Sequence, residues 1–444
     1  MSKIQMCAAR RLAALSAVIL MLPATGVAQS PLLAEMLEDY WQQRVDYDIS
    51  CVLDTENRAL SGEQTILYRN NSPDTLRRFY LHLYPNAYRD KDSELYRDFH
   101  PGNRFFLLGL PRENRGWIEI DTLAVGGAPI EYSIDGTILE STFPAPLPPG
   151  GEAEIRIEFS LKIRRRIGRA GYLGRHYDMA QWYPKMAVYD KHGWHPDQFR
   201  SGEFYGEFGT YRVSITLPEE YVVVATGVPV EGDPGWSRRP PGGSGEGPPR
   251  AHGSEGAATA GRAAQEAAPG PPRTVTFRAE NVHDFAWSAN PDFVVEEATS
   301  GDTRVLSVYR SWNTAWADSV LARTLRTLAW LGEQVGPYRW PQLAIVDSPT
   351  HGGMEYPMLV MNGSPDEALI VHEVAHQWFY GMLANNERAE AWLDEGPAQY
   401  FMFRSKLKEN RSLVRYIIIA PAVKAMIMDK SIPEIMASAL LELI

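Results

Sequence analysis

The chain has 444 residues, a formal net charge of −11 at pH 7 and 2 cysteines. That length is sufficient to bury one or several hydrophobic cores. The acidic balance argues against nucleic acid and against an anionic membrane surface as partners.

Residues 1–28 have the pattern of a secretory signal peptide. Three basic residues form a positive start, Leu12 to Leu22 is an apolar run, and Gly26-Val27-Ala28 is a small-residue cleavage site. This run is shorter than the roughly 20 residues that a membrane span needs. We therefore expect cleavage after about Ala28, a secreted or periplasmic protein and no stable membrane span. Cleavage would remove three positive charges, leave a net charge of about −14 (−11 minus 3), and keep Cys51 without a disulfide partner in the chain.

Residues 31–300 are predicted to form an N-terminal β domain. Polar and apolar residues alternate in several short segments of this part, and turn sequences such as Asn70-Asn71-Ser72-Pro73 follow some of them. The predicted strands include Tyr47–Leu53, Gln64–Tyr68, Ile155–Phe159, Tyr211–Leu217 and Tyr221–Ala225.

Residues 231–272 consist largely of Gly, Pro, Ala, Ser and Arg, and they show no hydrophobic periodicity. The strand-like Thr274–Phe277 follows directly. This composition predicts a solvated low-complexity insertion between two strands of the β domain. A regulatory or binding role is the alternative.

Helical patterns predominate after Val305, and residues 301–444 form the second predicted domain. Ala315–Val335 has apolar residues at helical spacing, and Gln342–Asp347 reads as a strand that leads toward Gly352. Tyr416–Met428 is apolar but short, which predicts a core helix and not a membrane span.

The segment His372-Glu373-Val374-Ala375-His376 has the spacing of a zinc site on a helix. Residues four apart leave the same face of an α-helix, so both imidazoles can coordinate one Zn²⁺ ion at about 2.1 Å. Glu373 lies between them, where a carboxylate can reach a water on the metal without being a ligand. Apolar residues nearly surround these three side chains, so a solvent-exposed helix with incidental histidines is the weaker reading.

Catalytic zinc usually takes three protein ligands and leaves a fourth position for water. Glu395, after eighteen intervening residues, is the predicted third ligand, and Asp394 and Glu390 are its competitors. The metal would lower the pKa of its water toward ~7, and Glu373 would be the general base and the catalytic residue. The chain is therefore predicted to be a zinc hydrolase.

These motifs resemble the aminopeptidase N family, the M-one family of gluzincin zinc metallopeptidases, in a bacterial secreted branch. The resemblance is carried by the zinc helix, the eighteen-residue interval, Trp392–Gly396 and Gly352–Tyr356, which is similar to the family motif Gly-x-Met-Glu-Asn. Further matching segments are Gln181–Asp190, Gly202–Gly209 and Glu280–Trp287. The implied fold is α+β and multidomain, with an N-terminal β-sandwich or saddle domain followed by a thermolysin-like zinc catalytic domain.

The resemblance also implies the substrate, namely peptides with a free N-terminus. Glu355 corresponds to the family glutamate that binds the substrate's α-ammonium group, and Gly352 and Gly353 would let the substrate backbone approach closely. Tyr356 stands where the family usually has asparagine. The implied activity is that of a metalloaminopeptidase with one zinc ion.

Only 49 residues follow Glu395, and the family's oxyanion-stabilising tyrosine lies farther from the third ligand than that. We therefore expect a truncated chain whose catalytic domain is incomplete at its C-terminal helical end. Two alternatives to an aminopeptidase remain open: a gluzincin-type zinc endopeptidase, in which Glu355 captures no amine, and an inactive, zinc-retaining binding protein.

Overall fold

The computed structural model describes residues 40–98, 111–200, 202–238, 270–317 and 319–409. The predicted signal peptide, most of the predicted insertion and the predicted helix Tyr416–Met428 lie outside these residues. Within them, no helix has both the length and the apolar character of a membrane span.

The described part of the chain is rich in strands and divides them among several sheets. The strands are β1 (Arg44–Asp54), β2 (Ala59–Arg69), β3 (Leu76–His82), β4 (Trp117–Val125), β5 (Ala128–Pro129), β6 (Tyr132–Asp135), β7 (Ile138–Leu147), β8 (Glu152–Lys162), β9 (Gly171–Leu173), β10 (His176–Met179), β11 (Lys185–Met186), β12 (Tyr189–Asp190), β13 (Gly193–Trp194), β14 (Gly209–Pro218), β15 (Val222–Ala225), β16 (Val228–Glu231), β17 (Pro272–Val282), β18 (Trp287–Asn290), β19 (Phe293–Ser300), β20 (Thr303–Arg310), β21 (Gln342–Asp347), β22 (Gly353–Met354) and β23 (Leu359–Asn362). The α-helices are α1 (Glu94–Asp98), α2 (Thr314–Ala317), α3 (Val320–Val335), α4 (Glu367–His376) and α5 (Trp392–Glu409).

The largest sheet has eight strands in the order β16-β17-β14-β1-β2-β8-β4-β5. Its long strands alternate buried and exposed residues, as in β1 and β8, because one face packs on the core and the other faces solvent. The strands predicted within β1, β2, β8, β14, β15 and β17 are confirmed. Two four-stranded sheets, β15-β18-β10-β9 and β11-β3-β7-β6, add to this strand-rich part.

A five-stranded mixed sheet, β19-β20-β21-β23-β22, follows in the chain. β20, β21 and β23 are parallel neighbours, whereas β22 is an antiparallel edge strand. Helices α3 and α4 pack on this sheet, and α5 packs on α4. The strand and helix predicted over Gln342–Asp347 and Ala315–Val335 are confirmed, the latter as α2 and α3.

The hairpin of β19 and β20 crosses the domain boundary predicted at residue 301. Phe293 pairs with Arg310 and Ser300 with Thr303, so residues 293–300 belong to the mixed sheet. We propose a boundary just before β19 for this reason.

Two segments that flank neighbouring strands meet in the interior of the strand-rich part. Gln181 follows β10, and Asp284 precedes β18; the amide of Gln181 donates to Asp284 Oδ2 over 3.1 Å. The ammonium of Lys185 lies 3.1 Å from the same oxygen. This buried polar cluster contacts the segment that follows β22 of the mixed sheet, because the hydroxyl of Tyr356 donates to Gln181.

We expect the buried carboxyl of Glu207 to make stability depend on pH. Burial raises its pKa to about 8, so the folded state favours the protonated form. The contribution of this group to stability is complete below its ordinary pKa and is lost as pH rises toward 8. Glu207→Gln mimics that form and should be more stable than wild type at pH 9, by at most about 1.4 kcal/mol for each pH unit crossed. Urea denaturation of both proteins at pH 5, 7 and 9 measures this.

Glu63→Gln is the matched control, because Glu63 is exposed on β2. If Glu207→Gln follows the pH profile of wild type and of the control, the buried carboxyl does not carry this dependence.

Candidate metal centre

Helix α4 carries the two predicted histidines and begins at a side-chain cap. Asp366 Oδ1 accepts hydrogen bonds from the backbone N–H groups of Ala368 and Leu369, at 2.8 and 3.2 Å. An aspartate at this position satisfies N–H groups that have no partner within the helix. Apolar residues of the helix, among them Ile370 and Val374, are fully buried against the mixed sheet. The helix is therefore a fixed support for the side chains at its C-terminal end.

The structure brings the three predicted metal ligands together. His372 Nε2 lies 3.2 Å from His376 Nε2 and 3.3 Å from Glu395 Oε2. Neighbouring ligands of a tetrahedral zinc with bonds of about 2.1 Å are about 3.4 Å apart. These ligand atoms fit a single ion, and two imidazoles with one carboxylate are a typical donor set for catalytic zinc. Helix α5 presents Glu395 in its first turn, although Pro397 lies inside that helix.

The other nitrogen of His376 is held by Asp394. His376 Nδ1 forms a hydrogen bond with Asp394 Oδ1, and both residues are buried. A carboxylate accepts, so the ring proton is on Nδ1 and the lone pair of Nε2 is free to bind a metal. Burial alone lowers the pKa of His376, but this hydrogen bond and the charge of Asp394 raise it above its ordinary value.

Neither competitor for the role of third ligand joins the cluster of ligand atoms. Asp394 uses its carboxylate on His376 Nδ1, and Glu390 accepts from Trp392 Nε1 over 2.6 Å at an exposed position. Sequence reasoning missed the orienting contact of Asp394. Its signal was present in the pattern, since Asp394 directly precedes the predicted ligand.

The carboxyl of Glu373 lies against Gly353 on the edge strand β22. A Cβ at Gly353 would lie 2.2 Å from atoms of that carboxyl, so only glycine leaves room for it. A Cβ at Gly352 would meet no atom within 4 Å. Glu373 is buried, and burial raises its pKa above the ordinary value.

Glu355 lies beside Glu373 and is also buried. Oxygens of Glu355 and Glu373 lie within 4.8 Å of each other and of a His376 nitrogen. This second grouping shares His376, whose Nδ1 is bonded to Asp394, so the two groupings cannot each hold a metal at once. Burial, followed by the charges of Glu203 and Glu373, raises the pKa of Glu355 well above its ordinary value.

An ion pair from the strand-rich part acts on this cluster, and sequence reasoning did not find it. Two nitrogens of the Arg169 guanidinium bond the carboxylate of Glu203. The charge of Arg169 offsets part of the rise that burial causes in the pKa of Glu355. For Glu395 the hydrogen bond with His372 is the main cause of a lowered pKa, and the charge of Arg169 adds to it. Neither residue has a motif spacing to the zinc helix, because the contact joins distant parts of the chain.

Comparison with known proteins gives one consistent class of match. The chain is similar to a mutant form of an M1 zinc metallopeptidase from Deinococcus radiodurans, with a TM-score of 0.55 and 16% sequence identity over 88% of this chain and 76% of that one. A mutant form of a two-domain M1 zinc metallopeptidase bound to L-arginine matches with a TM-score of 0.53 and 17% identity, over 84% and 72% of the two chains. The Deinococcus protein has also been solved with a Tyr-Ser-Ala substrate. No family model matches the chain.

The fold is therefore that of the M1 zinc metallopeptidases, over most of the chain. This confirms the resemblance that the motifs indicated and the strand-rich, multi-sheet architecture. At 16% to 17% sequence identity, the likeness to these structures shows a shared fold and nothing further.

We expect metal affinity to decrease as the pH is lowered, because a protonated His376 cannot bind zinc. Since the pKa of His376 is raised, affinity should fall by roughly tenfold for each pH unit below that pKa. Asp394→Asn removes the carboxylate that orients the ring and raises its pKa; affinity near pH 8 should fall by roughly 10- to 100-fold. Competition with a chromophoric zinc chelator from pH 5.5 to 8.5 measures both effects. Equal affinities and pH profiles for wild type and Asp394→Asn would contradict the assignment.

Proposed function

We propose that the chain is a zinc-dependent aminopeptidase of the M1 family that hydrolyses N-terminal residues from peptides. The observation that carries this proposal is the convergence of His372, His376 and Glu395 at one end of a buried helix, with Glu373 and Glu355 beside them. Three protein ligands leave a fourth position for water. The shared fold with solved M1 zinc metallopeptidases supports the same class.

Each of the remaining groups has a chemical role in this proposal. A zinc ion at this site would polarise the scissile carbonyl and acidify a water molecule. Glu373 takes a proton from that water and passes it to the leaving amine. Burial raises the pKa of Glu373 above its ordinary value, which makes its carboxylate a stronger base.

Glu355 makes the enzyme selective for peptides with a free N-terminus. A buried carboxylate that lacks a cation is unfavourable, and the α-ammonium group of a peptide supplies one. An N-acetylated peptide lacks that charge and leaves Glu355 uncompensated. A neighbour of this fold has been solved with the tripeptide Tyr-Ser-Ala, which supports a peptide as the ligand.

The organisation and location of the protein complete the proposal. We infer a thermolysin-like catalytic domain from the mixed sheet onward and a β domain before it. We also infer export from the cytoplasm, with residues 1–28 as the signal peptide, on the pattern of charged and apolar residues there.

We expect an unblocked alanine or leucine p-nitroanilide to be hydrolysed and its N-acetylated form to be ignored. Glu355→Gln should lower kcat/KM for the unblocked substrate by roughly 100-fold or more, because the ammonium loses its charged partner. Glu390→Gln is the control, since Glu390 is exposed and outside the cluster. Equal hydrolysis of both forms would identify an endopeptidase, and zinc-loaded protein without hydrolysis would identify a binding protein.

We expect Gly353→Ala to resemble Glu373→Gln. The added methyl group takes the space of the Glu373 carboxyl, so both variants should lose at least about 100-fold in kcat and keep one zinc per chain. His376→Ala should instead lose the metal. Zinc analysis of the purified variants, with steady-state kinetics, distinguishes the three.

Gly352→Ala is the matched contrast to Gly353→Ala. Its methyl group meets no atom of the protein within 4 Å, so it leaves Glu373 in place and reports only on contact with the substrate backbone. If Gly353→Ala keeps full kcat, the proposed position of the general base is wrong.

A further inference from the structure

The segment that carries Glu355, residues 353–358, is held by side chains from two directions. From the zinc helix side, Gln377 Nε2 donates to the backbone carbonyls of Glu355 and Tyr356 at 3.2 and 3.1 Å. Gln377 Oε1 accepts from the N–H of Met358 over 2.9 Å. One amide thus fixes the backbone on both sides of Tyr356.

The second attachment comes from the strand-rich part. The hydroxyl of Tyr356 donates to Gln181 Oε1 over 3.1 Å, and Gln181 Nε2 donates to Asp284 Oδ2 over 3.1 Å. The ammonium of Lys185 lies 3.1 Å from the same oxygen. All four side chains are buried, and buried polar groups persist where each has a partner.

The direction of these hydrogen bonds is determined by Asp284. Burial alone would raise the pKa of Asp284, but the charge and contact of Lys185 hold it below the ordinary value, so the carboxylate stays ionised. An ionised carboxylate only accepts. Gln181 must therefore turn its NH₂ group to Asp284, which leaves its carbonyl oxygen to accept from Tyr356.

Backbone strain marks both attachments. Gln181 has φ +48° and Met358 has φ +64°, backbone angles that residues other than glycine rarely adopt. Such conformations persist where surrounding contacts hold them, and they are concentrated at functional sites. Gln181 accepts from the Tyr356 hydroxyl, and Met358 donates its N–H to Gln377, so each strained residue forms one of the two attachments.

We propose that Tyr356 is a positioning residue, which through its hydrogen bond to Gln181 holds the carboxylate of Glu355 where it meets the α-ammonium group of the substrate. This inference deepens the proposed aminopeptidase function and rests on it. It assigns a role to the position at which this chain carries tyrosine and the resembling family usually carries asparagine. It also couples the amine-binding carboxylate to the strand-rich part of the molecule.

The effect is expected on substrate binding more than on turnover. Loss of the Tyr356 hydroxyl leaves the buried oxygen of Gln181 without a donor and frees the Glu355 segment on one side. Neither the three metal ligands nor Glu373 touches Tyr356 through the contacts described above. An interaction that binds ground state and transition state alike changes KM and leaves kcat.

The test compares Tyr356→Phe, Gln181→Met and the double variant with wild type, as zinc-loaded full-length chains. Tyr338→Phe is the matched control, because it removes a hydroxyl that donates to Gln342 O over 2.9 Å at another place in the mixed-sheet part. Steady-state kinetics with unblocked and N-acetylated alanine p-nitroanilide, zinc analysis and thermal denaturation are measured on each.

We expect Tyr356→Phe to raise KM for the unblocked substrate roughly three- to tenfold, with kcat within about twofold and one zinc per chain. Gln181→Met removes the same hydrogen bond and also the one to Asp284, which does not touch the Glu355 segment. Its effect on KM should therefore be the same, and the KM of the double variant should equal that of either single variant. Tyr338→Phe should lower the melting temperature without changing KM.

Two results would overturn the inference alone: variants that lose stability but keep wild-type KM, or single effects that multiply in the double variant. Hydrolysis of both substrates equally by wild type would instead overturn the proposed function, and this inference with it. The wild-type measurement therefore separates the two failures.

Discussion

Several carboxylates share a small buried volume around His376, and their mutual repulsion constrains everything else at the site. Burial raises the pKa of Glu355, Glu373 and Asp394, and each lies in the field of further acids. Such a cluster cannot remain ionised in a medium of low dielectric constant unless positive charge enters it. In the proposed function, a divalent cation and a substrate ammonium group together would provide that charge. The two cations of the proposed function would keep these carboxylates ionised, and only an ionised carboxylate can act as a base.

The parts of this site that lie on one helix were predictable, because a helix converts spacing into direction. His372, Glu373 and His376 are positioned by the 3.6-residue period alone. The interval after His376 made Glu395 a candidate third ligand, and the resemblance supported it. The π-helical segment Gln377–Gly381 and the turns that follow have no simple periodicity that would give its direction. In the fold, alternation of polar and apolar residues located the strands β1, β2, β8 and β14, because each presents one face to a core.

The remaining contacts could not be predicted, because they join residues that are far apart in the chain. Gln181 and Tyr356 are separated by 175 positions. The pairing of Arg169 with Glu203 likewise depends on how separate segments pack. No local pattern encodes a register between two separately formed sheets. The matching segments Gln181–Asp190 and Glu280–Trp287 were recognisable as motifs, yet only their meeting at Asp284 explains what their polar residues do.

The antiparallel pairing of β16 with β17 has a practical consequence. Val228 pairs with Arg278, and Glu231 pairs with Thr276, so the chain leaves and re-enters the eight-stranded sheet at adjacent points on its edge. A long connection between adjacent points adds little closure entropy, because that cost grows only with the logarithm of length. The junction is therefore a suitable place to splice in a fluorescent reporter or an affinity handle. A replacement there leaves the strands in register and keeps the graft on the margin of the sheet.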